Sequence, residues 1–211
     1  MRRSRVFLAD DHALLLEAFT NLLEPRYDVV GAVTDCRQML SMVSALNPDV
    51  VLLDIQMPNL NGLVAGEKLK KKSPHIKLIF LTACSDPVLL AQALRINADG
   101  YLLKSSAASE LFEALKTVLD GGSYITPSID NTFADTMSKT LKRANEKDAL
   151  TLRQKEVLQL LAEGKTMKQV AATLHITPRT VAFHKYQIME NQGIKTNSEL
   201  IQFAIKQRLL S

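Results

Sequence analysis

Val50-Val51-Leu52-Leu53-Asp54 is a run of four apolar residues closed by a carboxylate. The same figure recurs on either side of it. Val6-Phe7-Leu8-Ala9 runs into Asp10-Asp11, Leu78-Ile79-Phe80-Leu81 into Thr82, and Tyr101-Leu102-Leu103 into Lys104. Apolar runs this short, separated by segments of helix length, have the pattern of strands buried on both faces of a parallel sheet. In an open α/β sheet, ligands bind at the carboxyl ends of the strands. Residues spread from Asp10 to Lys104 therefore converge on one patch of three carboxylates, a hydroxyl and an ammonium. Carboxylates gather Mg²⁺, and a hydroxyl and an ammonium suit phosphoryl oxygens.

Outward from these runs, strand and helix alternate from Arg5 to about Gly122. The pattern predicts strands over Val6–Ala9, Asp28–Val33, Val50–Asp54, Lys77–Thr82 and Gly100–Leu103. It predicts helices over His12–Leu23, Arg37–Leu46, Gly62–Lys71, Val88–Ile96 and Ser109–Leu119. Five strands alternating with five helices imply a doubly wound, flavodoxin-like α/β fold with a five-stranded parallel sheet and right-handed crossovers. Gly121-Gly122 ends the last of these helices.

Residues 123–148 turn polar, with Thr, Ser, Asp, Asn and Lys recurring, and read as a linker with a helical stretch around Thr132–Arg143. Beyond it the chain is helical. Leu152–Ala162 has helical apolar spacing and stops at Gly164, Met167–Leu174 follows, and His175-Ile176 makes a tight turn. Thr177-Pro178 is an N-cap with proline at the first helical position of a helix to about Asn191, and a fourth helix covers Ser198–Leu209. The domains are thus 1–122, a linker at 123–148, and 149–211.

Charge follows the same division. Residues 1–125 carry 13 Lys/Arg against 14 Asp/Glu, whereas residues 149–211 carry nine against four. A basic excess confined to the helical part points to a polyanion partner for that part alone. No apolar run approaches the length that spans a bilayer, and the run after Met1-Arg2-Arg3-Ser4-Arg5 is too short for a signal-peptide core. Cys36 and Cys84, the only cysteines, match no metal or redox spacing, so a reducing, cytoplasmic setting without membrane attachment is expected.

The strand-end residues define a chemistry. Mg²⁺ takes octahedral oxygen ligands and keeps several waters; Asp10, Asp11 and Asp54 can supply carboxylates and a carbonyl just after Asp54 another. A carboxylate beside Mg²⁺ can attack a phosphoryl group to give an acyl phosphate, with Thr82 and Lys104 neutralising the equatorial oxygens. A single acidic residue at a strand end often does no more than cap the next helix; this ordered set is far more specific.

Residues 5–122 resemble the receiver domain of two-component response regulators. The resemblance rests on Asp10-Asp11, Asp54 followed by Met57-Pro58 and Gly62, Thr82-Ala83, and Tyr101 three residues before Lys104. It implies that Asp54 is the phosphoacceptor. Asp10, Asp11 and Asp54 would hold Mg²⁺, with the Gln56 backbone carbonyl as a further ligand, and Thr82 and Lys104 would bind the phosphoryl group. Tyr101 is then either the switch aromatic, paired with Thr82, or an ordinary half-buried strand residue. Ser105 stands where many receivers have proline, and without proline a cis peptide after Lys104 is costly. His12 and Cys84 read as a helix-start residue and a buried bystander.

In the helical part, Met167–Leu174, the turn and Pro178–Asn191 have helix-turn-helix dimensions, which set the second helix in the major groove with its early residues on base edges. Arg179 and Lys185 can meet phosphates or guanine; Val181 and Ile188 face the core; Ala182, Phe183 and Tyr186 share another face, where apolar groups can touch thymine methyls. Leu150-Thr151-Leu152-Arg153-Gln154-Lys155-Glu156-Val157-Leu158, Leu161-Ala162-Glu163-Gly164-Lys165, Val170-Ala171, Thr180-Val181 and His184 resemble the LuxR-type helix-turn-helix domain. Family members often have glutamate in place of Gln154 and a basic residue in place of Ala182. Thr180 and His184 either bond the DNA backbone or hold the fold, and Leu200, Ile201, Ala204 and Ile205 face either a dimer partner or the domain's own core.

The pairing resembles regulators of the NarL/FixJ type. It implies a transcription regulator, not an enzyme: a sensor histidine kinase phosphorylates Asp54, and double-stranded DNA is bound by a homodimer, with RNA polymerase as a possible further partner. Two other functions fit parts of the sequence. One is a DNA-binding protein whose receiver is a dimerisation scaffold indifferent to phosphate. The other is a Mg²⁺-dependent phosphatase of the haloacid dehalogenase type, which needs a second Asp two residues after the nucleophile, where this chain has Gln56.

Overall fold

The computed structural model describes residues 2–83, 85–106, 108–129 and 150–210. Strands β1 (Arg5–Ala9), β2 (Asp28–Val33), β3 (Val50–Asp54), β4 (Lys77–Thr82) and β5 (Gly100–Leu103) lie where the apolar runs place them. A sixth, β6 (Tyr124–Ile125), joins them in a parallel sheet of order β2-β1-β3-β4-β5-β6. The expectation of five strands is therefore one short. β6 is two residues long, too short to show an alternating pattern, and it falls in the segment whose polarity suggests a linker. Its pairing comes from outside its own sequence: Gly121 takes a positive φ of 92°, the chain turns back along the sheet, and the Tyr124 and Thr126 N–H groups donate to the carbonyls of Asp99 and Tyr101. Residues 130–148 of the expected linker, with its helical stretch at Thr132–Arg143, lie outside the described residues, as does Cys84.

Helices α1 (Ala13–Leu23) and α5 (Ala108–Leu119) cover one face of the sheet. Leu16, Leu23, Leu111 and Leu115 pack there on Val6, Leu8, Leu52 and Leu81. Helices α2 (Cys36–Leu46), α3 (Gly62–Lys72) and α4 (Pro87–Arg95) cover the other, on Phe7, Val51, Leu53 and Phe80. Successive strand residues point to opposite faces, so a run such as Val50–Leu53 feeds both layers and is apolar throughout. The helices start where short polar side chains satisfy free N–H groups: Asp35 before α2, Asn61 before α3, Asp86 before α4.

The second domain consists of α6 (Leu152–Ala162), α7 (Met167–Leu174), α8 (Pro178–Asn191) and α9 (Asn197–Lys206). Thr151, Thr166 and Thr196 form capping boxes with Gln154, Gln169 and Glu199. Gln154 thus closes the first of these boxes by bonding the Thr151 N–H. His175 turns α7 into α8 with φ +52°, and Thr177 caps α8 ahead of Pro178. Val157, Leu160, Val170, Ala171, Leu174 and Val181 form this domain's own core.

The other side of α6 meets the receiver fold. Leu158, Ile188, Leu200, Ala204 and Leu209 belong to the same apolar cluster as the α2–α3–α4 face. Glu156, 2% exposed, lies among Lys68 of α3 at 2.7 Å, Arg153 at 3.2 Å and Arg37 of α2 at 3.9 Å. Lys155 pairs with Glu67 across the same seam at 3.2 Å.

Candidate functional site

The strand ends bring the expected residues together. Asp10 follows β1, Asp54 closes β3, Thr82 closes β4 and Lys104 follows β5. Lys104 Nζ lies 2.8 Å from Asp10 Oδ2 and 2.9 Å from Asp54 Oδ2, so one ammonium bridges two carboxylates. Asp10, Asp54 and Thr82 are buried, whereas Asp11 keeps an edge open to solvent. The Asp54 Oδ1 accepts the Gln56 N–H at 3.2 Å. Backbone bonds hold the strand ends in register: the Lys104 N–H donates to the Thr82 carbonyl at 2.7 Å, and the Ile55 N–H to the Leu81 carbonyl at 3.1 Å. Among the described residues no peptide bond is cis, so Ser105 follows Lys104 through a trans link.

The loop after Asp54 closes back on itself. The Gly62 N–H donates to the Ile55 carbonyl at 2.9 Å. A Cβ at position 62 would lie 1.9 Å from the Asp54 carbonyl oxygen, so only glycine permits this approach.

Burial pushes the Asp54 carboxyl above its ordinary value, and Asp10 pushes in the same direction; Lys104 pulls part of the way back. Burial works against the Lys104 charge, yet its bonds to Asp10 and Asp54 prevail and raise its pKa. The site is thus acidic and under-neutralised: one buried ammonium serves two buried carboxylates, and the half-open Asp11 adds a third. That is the donor set a hard divalent cation takes. Ligand atoms of Asp10, Asp11, His12 and Asp54 all lie within 4.8 Å of one another. His12, expected only to open α1, occupies the N-cap position without a side-chain cap; its Nδ1 lies 2.8 Å from Asp11 Oδ1.

Tyr101 points inward and is 1% exposed, on the same sheet layer as Phe80. Cys36 is also fully buried; burial raises its thiol pKa and leaves it unreactive.

On α8, Val181 and Ile188 are buried as their spacing predicts, and Phe183 and Tyr186 stand 59% and 60% exposed. Arg179 is exposed; Ala182 and Lys185 are half-buried. Lys185 Nζ lies 5.7 Å from the Tyr186 ring centre. The Thr180 hydroxyl is bonded to that of Thr177 at 2.9 Å and its N–H to the same oxygen, which builds the helix start. Burial and the Arg153 guanidinium lower the His184 pKa, so its imidazole is neutral at neutral pH. On α9, Leu200 and Ala204 face inward while Ile201 and Ile205 are exposed, so the helix serves the core with one stripe and presents another outward.

Sequence reasoning misses the polar residues at the seam between the domains. Glu156 and Gln159 are buried on α6. Their partners lie many residues away in the receiver fold, and no local pattern distinguishes them from solvated side chains.

Residues 6–116 match the family model for the response regulator receiver domain, and residues 148–204 match that for bacterial regulatory proteins of the luxR family. The oxygen regulatory protein NreC of Staphylococcus aureus (strain MRSA252) is 33% identical over 98% of this chain and 99% of its own. RcsB of Salmonella enterica serovar Typhimurium, solved bound to promoter P1flhDC with the phosphomimetic BeF3-, is 25% identical over 96% of this chain and 98% of that one, with a TM-score of 0.61. A LuxR-family two-component response regulator from Aurantimonas sp. SI85-9A1 covers 64% of this chain and 99% of its own at 26% identity and TM-score 0.62.

Proposed function

This chain belongs to the response regulators that join a receiver domain to a LuxR-type DNA-binding domain, and we propose that phosphorylation of Asp54 by a sensor histidine kinase controls its binding to DNA. The observation that supports this most directly is the buried Asp10–Lys104–Asp54 cluster at the mouth of the sheet. An Asp54 oxygen attacks phosphorus as the bond to the donor breaks, giving an acyl phosphate on a carboxylate whose charge is already disfavoured by burial. Lys104 turns from Asp54 to the phosphoryl oxygens, and the Thr82 hydroxyl donates to them from the end of β4.

Asp10, Asp11 and Asp54, with the Gln56 carbonyl, would hold Mg²⁺, which neutralises phosphoryl charge when bound. Tyr101 acts with Thr82 as the switch pair, its ring already packed inward. We assign residues 1–122 to the receiver, with β6 extending its sheet, 123–148 to the linker and 149–211 to the DNA-binding domain.

In that domain α8 enters the major groove of double-stranded DNA. Arg179 and Lys185 meet phosphates or guanine, Phe183 and Tyr186 the methyl edge of thymine, and Thr180 and Ala182 line the entry of the helix. NreC and RcsB carry regulator names, and RcsB is solved on promoter DNA; a homodimer on paired half-sites, acting on transcription in the cytoplasm, is the corresponding role here. Among the described residues no helix is long and apolar enough to cross a membrane.

Purified protein treated with Mg²⁺ and a small acyl-phosphate donor should gain one phosphoryl group in its intact mass, and Asp54→Asn should gain none. A phosphorylated Asp54→Asn would overturn the site assignment.

A further inference from the structure

His12 stands beside the acidic cluster, and the phosphoryl transfer proposed above gives its side chain no task. It is the N-cap of α1, with an extended backbone whose carbonyl accepts the Leu15 and Leu16 N–H groups at 3.0 and 3.1 Å. An N-cap is ordinarily a short side chain that accepts a free N–H of the first turn. The His12 imidazole makes no such bond and turns back to the end of β1 instead. Its Nδ1 lies 2.8 Å from Asp11 Oδ1 and 3.3 Å from Asp10 Oδ1, and the His12 N–H donates to the same Asp10 oxygen at 2.9 Å. Lys104 engages the other oxygen of Asp10, Oδ2, together with Asp54 Oδ2. Ammonium and imidazole therefore stand on different oxygens of the buried Asp10 carboxylate. The imidazole is 66% exposed, and among the described residues it makes no other hydrogen bond or ion pair.

We propose that His12 is a further protein ligand of the ion held by Asp10, Asp11 and Asp54, bound through an imidazole nitrogen, and that it makes this site favour a first-row transition-metal ion over Mg²⁺. This rests on the reading of the strand ends as a metal-assisted phosphorylation site. The spacing carries the inference. Metal–oxygen and metal–nitrogen bonds of about 2.1 Å put adjacent corners of an octahedron about 3.0 Å apart and opposite corners about 4.2 Å apart. The two Nδ1 separations, 2.8 and 3.3 Å, fall on either side of the first figure. Ligand atoms from Asp10, Asp11, His12 and Asp54 all lie within 4.8 Å of one another, so the set is nearly as compact as an octahedral shell. A single N–H is directed at one acceptor, so a hydrogen bond accounts for one of the two close approaches and a shared ion for both. The donor type then decides the ion. Mg²⁺ takes oxygen ligands and gives up its waters reluctantly, so at a nitrogen corner it keeps water. First-row transition ions accept imidazole beside carboxylates. Residue 12 thus sets which ion the acidic cluster prefers, without touching the phosphoacceptor itself.

The test uses full-length protein without an affinity tag, and the metals alone. Calorimetry gives the affinities of wild type, His12→Ala and His12→Asn for Mg²⁺ and for Mn²⁺, the transition-metal ion nearest Mg²⁺ in its liking for oxygen and octahedral geometry. Pulsed electron paramagnetic resonance of the Mn²⁺-loaded proteins reads the hyperfine coupling of a directly bound nitrogen. Wild type should show that coupling and both variants should lose it. Mn²⁺ affinity should fall by about tenfold or more in both variants, the loss that even an outer-shell partner of a metal ligand produces. Mg²⁺ affinity should stay within about twofold, because water holds that corner. Asparagine keeps a donor for Asp11 but has no imidazole. A residue that merely positioned Asp11 would therefore weaken both ions in His12→Ala and recover in His12→Asn. That pattern overturns the proposal, as does a wild type with no bound nitrogen or a coupling that survives in the variants. The ring is exposed and caps nothing, so both variants should keep the fold. Wild type that binds both ions with His12 uninvolved overturns this inference alone. Wild type that binds neither ion overturns the metal reading of the strand ends, and this inference with it.

Discussion

Replacing Gly62 by alanine should damage both the stability and the chemistry of the receiver, for a reason that can be sized. The new Cβ would sit 1.9 Å from the Asp54 carbonyl oxygen and 2.8 Å from Ile55 Cα. Ordinary van der Waals contact begins near 3.4 Å, so the oxygen contact is short by roughly 1.5 Å. Both opposing atoms are backbone, so no rotamer change relieves the clash. The strand end or the loop must move, and Gly62 is itself bonded to the Ile55 carbonyl and follows the Asn61 cap of α3. Overpacking typically costs about 1–3 kcal/mol, and a backbone-on-backbone clash belongs at the upper end, about 3 kcal/mol. For a domain of this size that lowers Tm by roughly 10 °C. The same shift displaces the Asp54 carboxylate, and a misplacement of about 1 Å can slow a positioned reaction by about a hundredfold. Urea unfolding and acetyl-phosphate phosphorylation of Gly62→Ala beside wild type read the two effects. Stability within about 0.5 kcal/mol of wild type, as for an ordinary surface change, together with an unaltered phosphorylation rate, would refute the close-approach argument.

Other expectations follow from the same geometry. Because the folded pKa of Asp54 lies above its ordinary 3.8, its contribution to stability is fully present below that value and is lost as pH rises through the folded pKa. Without Mg²⁺, Asp54→Asn should therefore melt above wild type at pH 7, by a margin that shrinks toward pH 4; a margin that grows on acidification would contradict the sign. Glu156→Ala leaves Lys68 and Arg37 without their shared partner at the domain seam, and since those cations are about one-third exposed the loss should be near 1–2 kcal/mol of docking. Small-angle scattering should show a larger radius of gyration, and an unchanged profile would count against the seam as the docking surface. Phe183→Ala should leave the melting curve in place, since the ring is exposed, and weaken binding to a promoter fragment by about tenfold. Lys185→Gln should lower the salt slope of DNA binding by about one. Fluorescence anisotropy reads both, and wild-type affinity in Phe183→Ala would remove that ring from the DNA interface.

What the sequence determined by itself was the receiver sheet, the helix-turn-helix and the ordered set Asp10, Asp11, Asp54, Thr82 and Lys104. These rest on local rules. A parallel strand buried on both faces must be apolar throughout, a helix start must satisfy its free N–H groups, and residues at the carboxyl ends of parallel strands converge whatever their separation in the chain. Only the tertiary structure decided the rest. β6 is a strand because β5 offers an open edge, not because Tyr124-Ile125 signals one. Glu156 and Gln159 resemble the solvated side of a helix until α3 and the loop after Asp54 close over them, and Arg208 finds Asp86 across more than half the chain. A buried polar residue is acceptable only once its partner is in place. When that partner lies in another domain, nothing near it in the sequence can reveal the pairing.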